Sequence, residues 1–320
     1  MTLEELKERL TLPVIVSPMF IVSGTELVVA CCKNGIVGTI PSLNGRTSQD
    51  FEEILIKITS ELADFEKETG IKPAPFGVNL IVNRTNPRLL PDLELCVKYK
   101  VPLIITSLGA VKEIVDAVHS YGGLIFHDIV KKRHAEKAAE AGVDGIICVS
   151  AGAGGHAGTA HPFALVNEIK SFYKGAIVMA GSINNGNEIL AAQLASADFV
   201  YMGTRFIATQ ECLAVEEYKQ MIQDSGINDV IYTDGVSGVP ANFLIKSIEN
   251  AGINLNEKKE EDFSKLTGEH AKAWKDIWSA GHGVAGIQDV PSVEELVNRL
   301  KSDYKSALNQ ADKIKENLNF

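Results

Sequence analysis

The chain has 320 residues, 45% hydrophobic and 22% charged, with a formal net charge of −10 and a pI near 5.3. It is long enough to bury one large core, and it has no basic stripe of the kind that neutralises a nucleic-acid backbone, so nucleic acid is not an expected partner. The opening MTLEELKERL is charged where a secretory signal is apolar, and no run approaches the ~20 apolar residues of a membrane span, so a cytoplasmic protein without a membrane partner is expected.

In chain order, short Val- and Ile-rich runs alternate with helix-like segments. The runs are Val14–Ser17, Ile36–Ile40, Phe76–Ile81, Leu103–Ser107, Leu124–His127, Gly145–Val149, Ala176–Ala180 and Phe199–Met202. Between them Phe51–Glu68 repeats apolar residues at helical spacing. Arg133–Ala141 ends on Gly142 as a helix ends on a C′ glycine, and Ile71–Pro75 is a loop entering the third run. Strands buried on both faces, alternating with helices and leaving no evident edge strand, predict an α/β fold: a closed (β/α)8 TIM barrel.

After the eighth run the pattern becomes irregular over Ile227–Gly286, which holds the charged run Glu257–Asp262 and both tryptophans, Trp274 and Trp278. This predicts a smaller, mostly helical cap over the barrel mouth. Ser292 and Glu295 then have capping-box spacing ahead of a lysine-rich helix. The expected layout is a barrel over 1–226, a cap or substrate subdomain over 227–290, and a C-terminal helix over 291–320 packing on the barrel. Cys31, Cys32, Cys96, Cys148 and Cys212 are an odd set without C-x-x-C spacing, read as buried thiols; no metal site is expected.

In such a barrel the site is built from the loops after the strand C-termini. Ala180-Gly181-Ser182 follows the seventh run and Met202-Gly203-Thr204-Arg205 the eighth, the two loops where backbone amides and a small hydroxyl hold a phosphate. After the sixth run, Ser150-Ala151-Gly152-Ala153-Gly154-Gly155-His156-Ala157-Gly158 is too glycine-rich to be held by side-chain packing, and it presents one imidazole suited to proton transfer. His161, just before Pro162, reads as a helix-entry residue. Asn79, Ser107 and the His127-Asp128 pair are further polar groups at strand ends. Asn79 has the donor and acceptor that suit a pyrimidine edge; His127 and Asp128 read equally as ligands or as a local ion pair.

With these residues in hand the chain resembles the nitronate monooxygenases, formerly 2-nitropropane dioxygenases, in the wider group that includes the flavin-dependent enoyl-acyl-carrier-protein reductases. The resemblance spans most of the chain. It is carried by Ser17-Pro18-Met19-Phe20, Gly77-Val78-Asn79-Leu80, Gly154-Gly155-His156-Ala157-Gly158, Ala180-Gly181-Ser182-Ile183, Met202-Gly203-Thr204-Arg205-Phe206 and Ser279-Ala280-Gly281-His282-Gly283.

The resemblance implies FMN as cofactor and oxidation of an alkyl nitronate with O2 to a carbonyl compound and nitrite. It implies that the backbone near Met19 and the Asn79 side chain face the isoalloxazine, that Gly181, Ser182, Gly203 and Thr204 hold the phosphate, and that His156 is the catalytic histidine. Asp128, Ser150, Gly154 and Gly155 complete the expected cofactor set. Two positions depart from the family: Gly152 stands where relatives carry Glu or Gln, and His282 where they carry Gln. Both bear on the substrate. An FMN-dependent NAD(P)H:quinone or enoyl-thioester reductase, and a flavin-free barrel lyase or isomerase of a phosphorylated substrate, stay open as alternatives. The oligomeric state is also open, a homodimer among the possibilities.

Overall fold

The computed structural model describes residues 1–109, 111–236, 238–255 and 276–318. Eight parallel strands form one sheet: β1 (Val14–Val16), β2 (Thr39–Pro41), β3 (Gly77–Ile81), β4 (Leu103–Ser107), β5 (Leu124–Ile129), β6 (Gly145–Val149), β8 (Ala176–Ala180) and β9 (Phe199–Met202). The two-residue β7 (Gly155–His156) lies in the loop after β6 and belongs to a second sheet. The order β1-β9-β8-β6-β5-β4-β3-β2 closes on itself, because the Val16 amide donates to the Val37 carbonyl and the Val37 amide to the Val14 carbonyl just ahead of β2. The (β/α)8 barrel expected from the alternation is therefore present. All eight strands overlap the expected runs; the main shift is in the second, where pairing begins at Thr39 rather than Ile36.

Two buried layers account for the closure. Alternate residues of each strand point to opposite faces. Leu103 and Ile105, Leu124 and Phe126, Ile147 and Val149, and Val178 and Ala180 form the core inside the barrel. Ile104, Ile125, Ile146, Cys148, Ile177 and Val200 face the surrounding helices. Leu6, on the short N-terminal helix Leu3–Glu8, is fully buried in the inner core, so this helix stoppers the end of the barrel opposite the strand C-termini. All five cysteines are buried free thiols.

The inward series of several strands ends in a polar residue: Asn79 follows Gly77, Ser107 follows Ile105, Asp128 follows Phe126, and Tyr201 follows Phe199. This period-two alternation, rather than any loop, delivers the polar groups of the barrel floor. His127 falls in the outward series and faces the helix layer, where its Nδ1 lies 2.8 Å from Thr106 Oγ1. The expected alternative of a His127–Asp128 ion pair is not observed, because neighbours along a strand point to opposite faces.

Beyond β9 the chain forms the helix Glu216–Asp224 and then a hairpin of β10 (Val230–Thr233) and β11 (Ala241–Leu244), which pairs with β7 in a three-stranded antiparallel sheet. The described part of the cap thus mixes strand with helix. β-branched and aromatic residues in Val230-Ile231-Tyr232-Thr233 explain the strand. Trp274 and the run Glu257–Asp262 lie outside the described residues. The final helix, Val293–Asn317, starts on the expected Ser292/Glu295 capping box and packs on the helices Gly186–Leu194 and Thr25–Lys33. Among the described residues no helix is long and apolar enough to cross a membrane.

Candidate active site

A cavity of about 560 Å³ opens at the C-terminal ends of the strands, within the size range of small-molecule sites. Met19, Asn79, Asp128, Gly154, Gly155, His156, Gly181, Ser182, Gly203 and Thr204 all line it. Ser150 stands behind the wall: fully buried, its hydroxyl donates to the Ala180 carbonyl and ties β6 to β8.

The floor is a hydrogen-bonded row across three adjacent strands. Asn79 Nδ2 donates to the Ile105 carbonyl at 3.2 Å and to Ser107 Oγ at 2.8 Å, and Ser107 Oγ donates to Asp128 Oδ2 at 2.6 Å. Asp128 Oδ1 and the Tyr201 hydroxyl are buried with no partner. Burial pushes the Asp128 carboxyl up to about 7, with the Ser107 bond acting in the opposite sense. Burial, helped by the Asp128 charge, holds the Tyr201 phenol well above its ordinary value. Tyr201 is a site residue that sequence reading passed over; a hydroxyl continuing the inward series of β9 is the signal that identifies it.

Opposite the floor, the glycine loop is gripped by the cap. His156 pairs with Ala241 and Gly155 with Asn242, Asn242 Nδ2 donates to the Ala153 carbonyl at 2.7 Å, and the Tyr232 hydroxyl donates to the Ala157 carbonyl at 3.0 Å. Gly155 adopts φ +68°, a left-handed conformation natural to glycine, and a side chain at Gly154 would run into the Gly281 amide. The His156 ring opens into the cavity, and desolvation by the surrounding protein lowers its pKa from the ordinary imidazole value. His161 is the N-cap of the helix Pro162–Lys170 and packs on Phe163, the expected helix-entry role.

At the third wall, a Cβ on Gly181 (φ +124°) would come within 2.7 Å of Ser150 Oγ, and one on Gly203 within 2.5 Å of Ser17 Oγ. Thr204 Oγ1 accepts from the Gly281 amide at 2.9 Å. Arg205 turns away from the cavity, buried and paired with Asp289 at 3.0 Å. The Met19 amide donates to Ser23 Oγ and its carbonyl accepts from Asn44 Nδ2, while its sulfur approaches the Gly203 position. Ile21, Leu108 and Ser182 are three of the five described non-glycine residues at positive φ, and all three line the cavity, so backbone strain gathers at this mouth.

The two departures from the family meet here. Gly152 has φ +81°, and a Cβ built on it would stand 2.5 Å from Ser182 Oγ and 3.1 Å from His282 Nδ1. The imidazole of His282 therefore borders the room that a longer residue at 152 would need. Trp278 stacks on Tyr218 with ring centroids 5.0 Å apart, closing the apolar rim.

A closed barrel with its cavity at the strand C-termini, and a glycine-framed histidine over that cavity, defines a TIM-barrel enzyme. More narrowly, the chain belongs to the nitronate monooxygenase family, whose model matches residues 88–303. A nitronate monooxygenase from Neurospora crassa is 26% identical over 92% of this chain and 90% of its own. A (3aS,4S,5R,7aS)-5-hydroxy-7a-methyl-1-oxo-octahydro-1H-indene-4-carboxyl-CoA dehydrogenase from Rhodococcus jostii is 27% identical over 75% of this chain; the match spans 65% of that relative's length. A nitroalkane oxidase from Streptomyces ansochromogenes has the same fold, with a TM-score of 0.81 at 21% identity over 95% of this chain and 99% of its own.

Proposed function

We propose that this protein is an FMN-dependent oxidoreductase that converts alkyl nitronates, with O2, to a carbonyl compound and nitrite. The observation that carries the reading is the convergence of the glycine loop with His156 and the loops after β8 and β9 on one cavity. The residues present fit the cofactor. Gly181 and Gly203 leave a cradle that a Cβ would close, and the floor carries two unspent polar atoms, Asp128 Oδ1 and the Tyr201 hydroxyl. No Lys or Arg is among the described lining residues, so Gly181, Ser182, Gly203 and Thr204 would hold the phosphate through backbone amides and hydroxyls, as barrel phosphate sites do. Bound FMN would supply the electron acceptor; the protein supplies orientation and proton control.

The lowered pKa of His156 favours the neutral imidazole, the form that acts as a base. With a neutral nitroalkane it takes the α-proton: the C–H bond breaks, an N–H bond forms, and the electron pair moves onto the nitro oxygens to give the nitronate. With a preformed nitronate it donates its N–H to an oxygen. The cap segment, with Trp278 and Phe243 on the rim, excludes water from the reacting centre.

A second reading, oxidation of an acyl-thioester substrate, is favoured by the activity in the name of the Rhodococcus relative. Comparing propionate 3-nitronate, neutral nitroalkanes, quinones, acyl-CoA thioesters and NAD(P)H on the purified yellow enzyme decides between them. Nitronate turnover with nitrite release supports the first reading; a colourless protein that takes up no FMN overturns both.

A further inference from the structure

Among the loops that leave the C-terminal ends of the barrel strands, cations gather on one side. The segments 42–47, 82–88 and 130–134, after β2, β3 and β5, hold six of them, Arg46, Arg84, Arg88, Lys131, Lys132 and Arg133, and no Asp or Glu. The segments 17–24, 150–161 and 181–185, after β1, β6 and β8, hold no charged residue of either sign, and Arg205 after β9 is paired with Asp289. In a chain of net charge −10, loops of purely positive sign along one arc reverse the local field.

Arg88 is spent inside the protein, on Asp92 and on the Ser42 and Gly45 carbonyls, and so ties the first two loops together. Lys132 reaches Glu136 at 3.9 Å. Arg46, Arg84, Lys131 and Arg133 are exposed and enter no ion pair among the described residues. Lys131 and Arg133 also stand at the N-terminal end of the helix Lys132–Ala141, whose first turn has no acidic residue, so the helix dipole adds to their field. The half-buried His134 registers that field: its pKa is lowered by burial first and then by the charges of Lys131, Lys137 and Arg133.

These cations keep a fixed relation to the cavity. Arg46 is three residues beyond Leu43, Arg84 three beyond Ile81 and Lys131 three beyond Asp128, and Leu43, Ile81 and Asp128 all line it. Three residues of chain span at most ~11 Å, so each cation borders the mouth. The strands β2 and β5 are three steps apart in the sheet, about 14 Å, which is wider than one carboxylate and suits an extended polyanion. The described cap is bonded to the other side of the mouth, the loops after β6 and β9. Inside, no Lys or Arg is among the described lining residues, so an anionic tail finds its partners on this arc. We infer that Arg46, Arg84, Lys131 and Arg133 form a binding rim for the phosphate-bearing tail of a nucleotide-linked ligand whose reacting end lies in the cavity. Arginine forks match phosphate oxygens in pairs, which a lysine point charge supplements. Two sources share this chemistry, the carrier portion of a thioester substrate and a nicotinamide dinucleotide. The rim goes beyond the proposed function, since these residues hold neither the flavin nor the nitro group.

Calorimetric titration of the purified, flavin-containing protein with coenzyme A and with NADP+ tests the rim. At least one should bind with a Kd below ~1 mM. Its affinity should weaken about tenfold as salt rises from ~20 to ~200 mM, because exposed charges are screened. Arg84→Glu combined with Lys131→Glu should lower the affinity at least about thirtyfold, through like-charge repulsion on the rim. Lys72→Glu combined with Lys174→Glu makes the same change in net charge ahead of β3 and β8, at the opposite end of the barrel, and should stay within about twofold of wild type. Rim-dependent binding of coenzyme A assigns the rim to the substrate, and rim-dependent binding of NADP+ alone assigns it to a nucleotide reductant. Binding of neither by wild type, or equal affinity in the rim variant and the control, overturns the proposal. Nitrite release plays no part in the titration, so its absence bears on the proposed function alone.

Discussion

The floor of the cavity and its glycine loop are built by opposite means. On the floor, Asn79, Ser107, Asp128 and Tyr201 sit on strands fixed by the register of a closed barrel, and the first three are also bonded to one another across adjacent strands. The loop that carries His156 has almost no side chains with which to hold itself. It is held by a hairpin more than 70 residues further on, through β11 pairing, Asn242 and Tyr232. Under the proposed function, the groups that would bind and orient are thus set in the rigid body of the fold, while the group proposed to move a proton is suspended from the cap.

That contrast ranks the consequences of substitution. The largest effect is expected at the cradle: Gly203→Val puts a branched side chain against Ser17 Oγ and into the space assigned to the phosphate. Bound flavin should drop below a tenth of stoichiometric, measured by absorbance, while far-UV circular dichroism keeps the barrel signature. Next comes His156→Ala, which should keep full flavin content and lose ~10²–10⁴-fold in kcat, the usual loss for a general acid–base group. Full activity in that variant returns His156 to a structural role.

A smaller effect tests the suspension itself. Asn242→Ala removes the bond to the Ala153 carbonyl, worth ~1–3 kcal/mol when a buried acceptor is stranded. The expected outcome is a roughly tenfold fall in kcat with flavin content and KM held. An equal loss of flavin would mean that loop and floor are one unit.

The last consequence leaves the chemistry aside and is a pH slope in stability. The Asp128 carboxyl is raised from 3.8 to about 7 on folding, so it stabilises the fold at low pH, and this contribution is lost as pH rises from about 4 through 7. His127, lowered from 6.5 to about 4, acts oppositely, costing stability as pH falls through 6.5. Urea titrations from pH 4.5 to 8 should therefore show the stability difference between wild type and Asp128→Asn shrinking up to pH ~7 and level beyond it. A difference that does not vary with pH contradicts the raised carboxyl.

How much of this was legible follows from the same contrast. Strand runs such as Leu103–Ser107 and Ala176–Ala180 could be read because buried parallel strands leave unbroken Val/Ile-rich segments, and the loops after β8 and β9 follow once the strands are counted. The role of Asp128 against His127 was also present in the period-two alternation, and so was Tyr201. The pairing of Gly155 and His156 with a distant hairpin was not, because two residues give no periodicity and the partner strand lies far along the chain. Nor could the commitment of the Met19 amide to Ser23, and of Ser150 to Ala180, be read: short polar side chains give no sequence signal of where they bond.

The central claim is that this cavity holds a flavin which a nitronate, presented under His156, reduces directly. Anaerobic rapid mixing of the purified protein with propionate 3-nitronate, and separately with NADPH, tests it. The account predicts that nitronate bleaches the bound flavin of wild type at least as fast as steady-state turnover, that a neutral nitroalkane bleaches His156→Ala at least a hundredfold more slowly than wild type, and that NADPH leaves the colour intact. Rapid bleaching by NADPH with none by nitronate would contradict it.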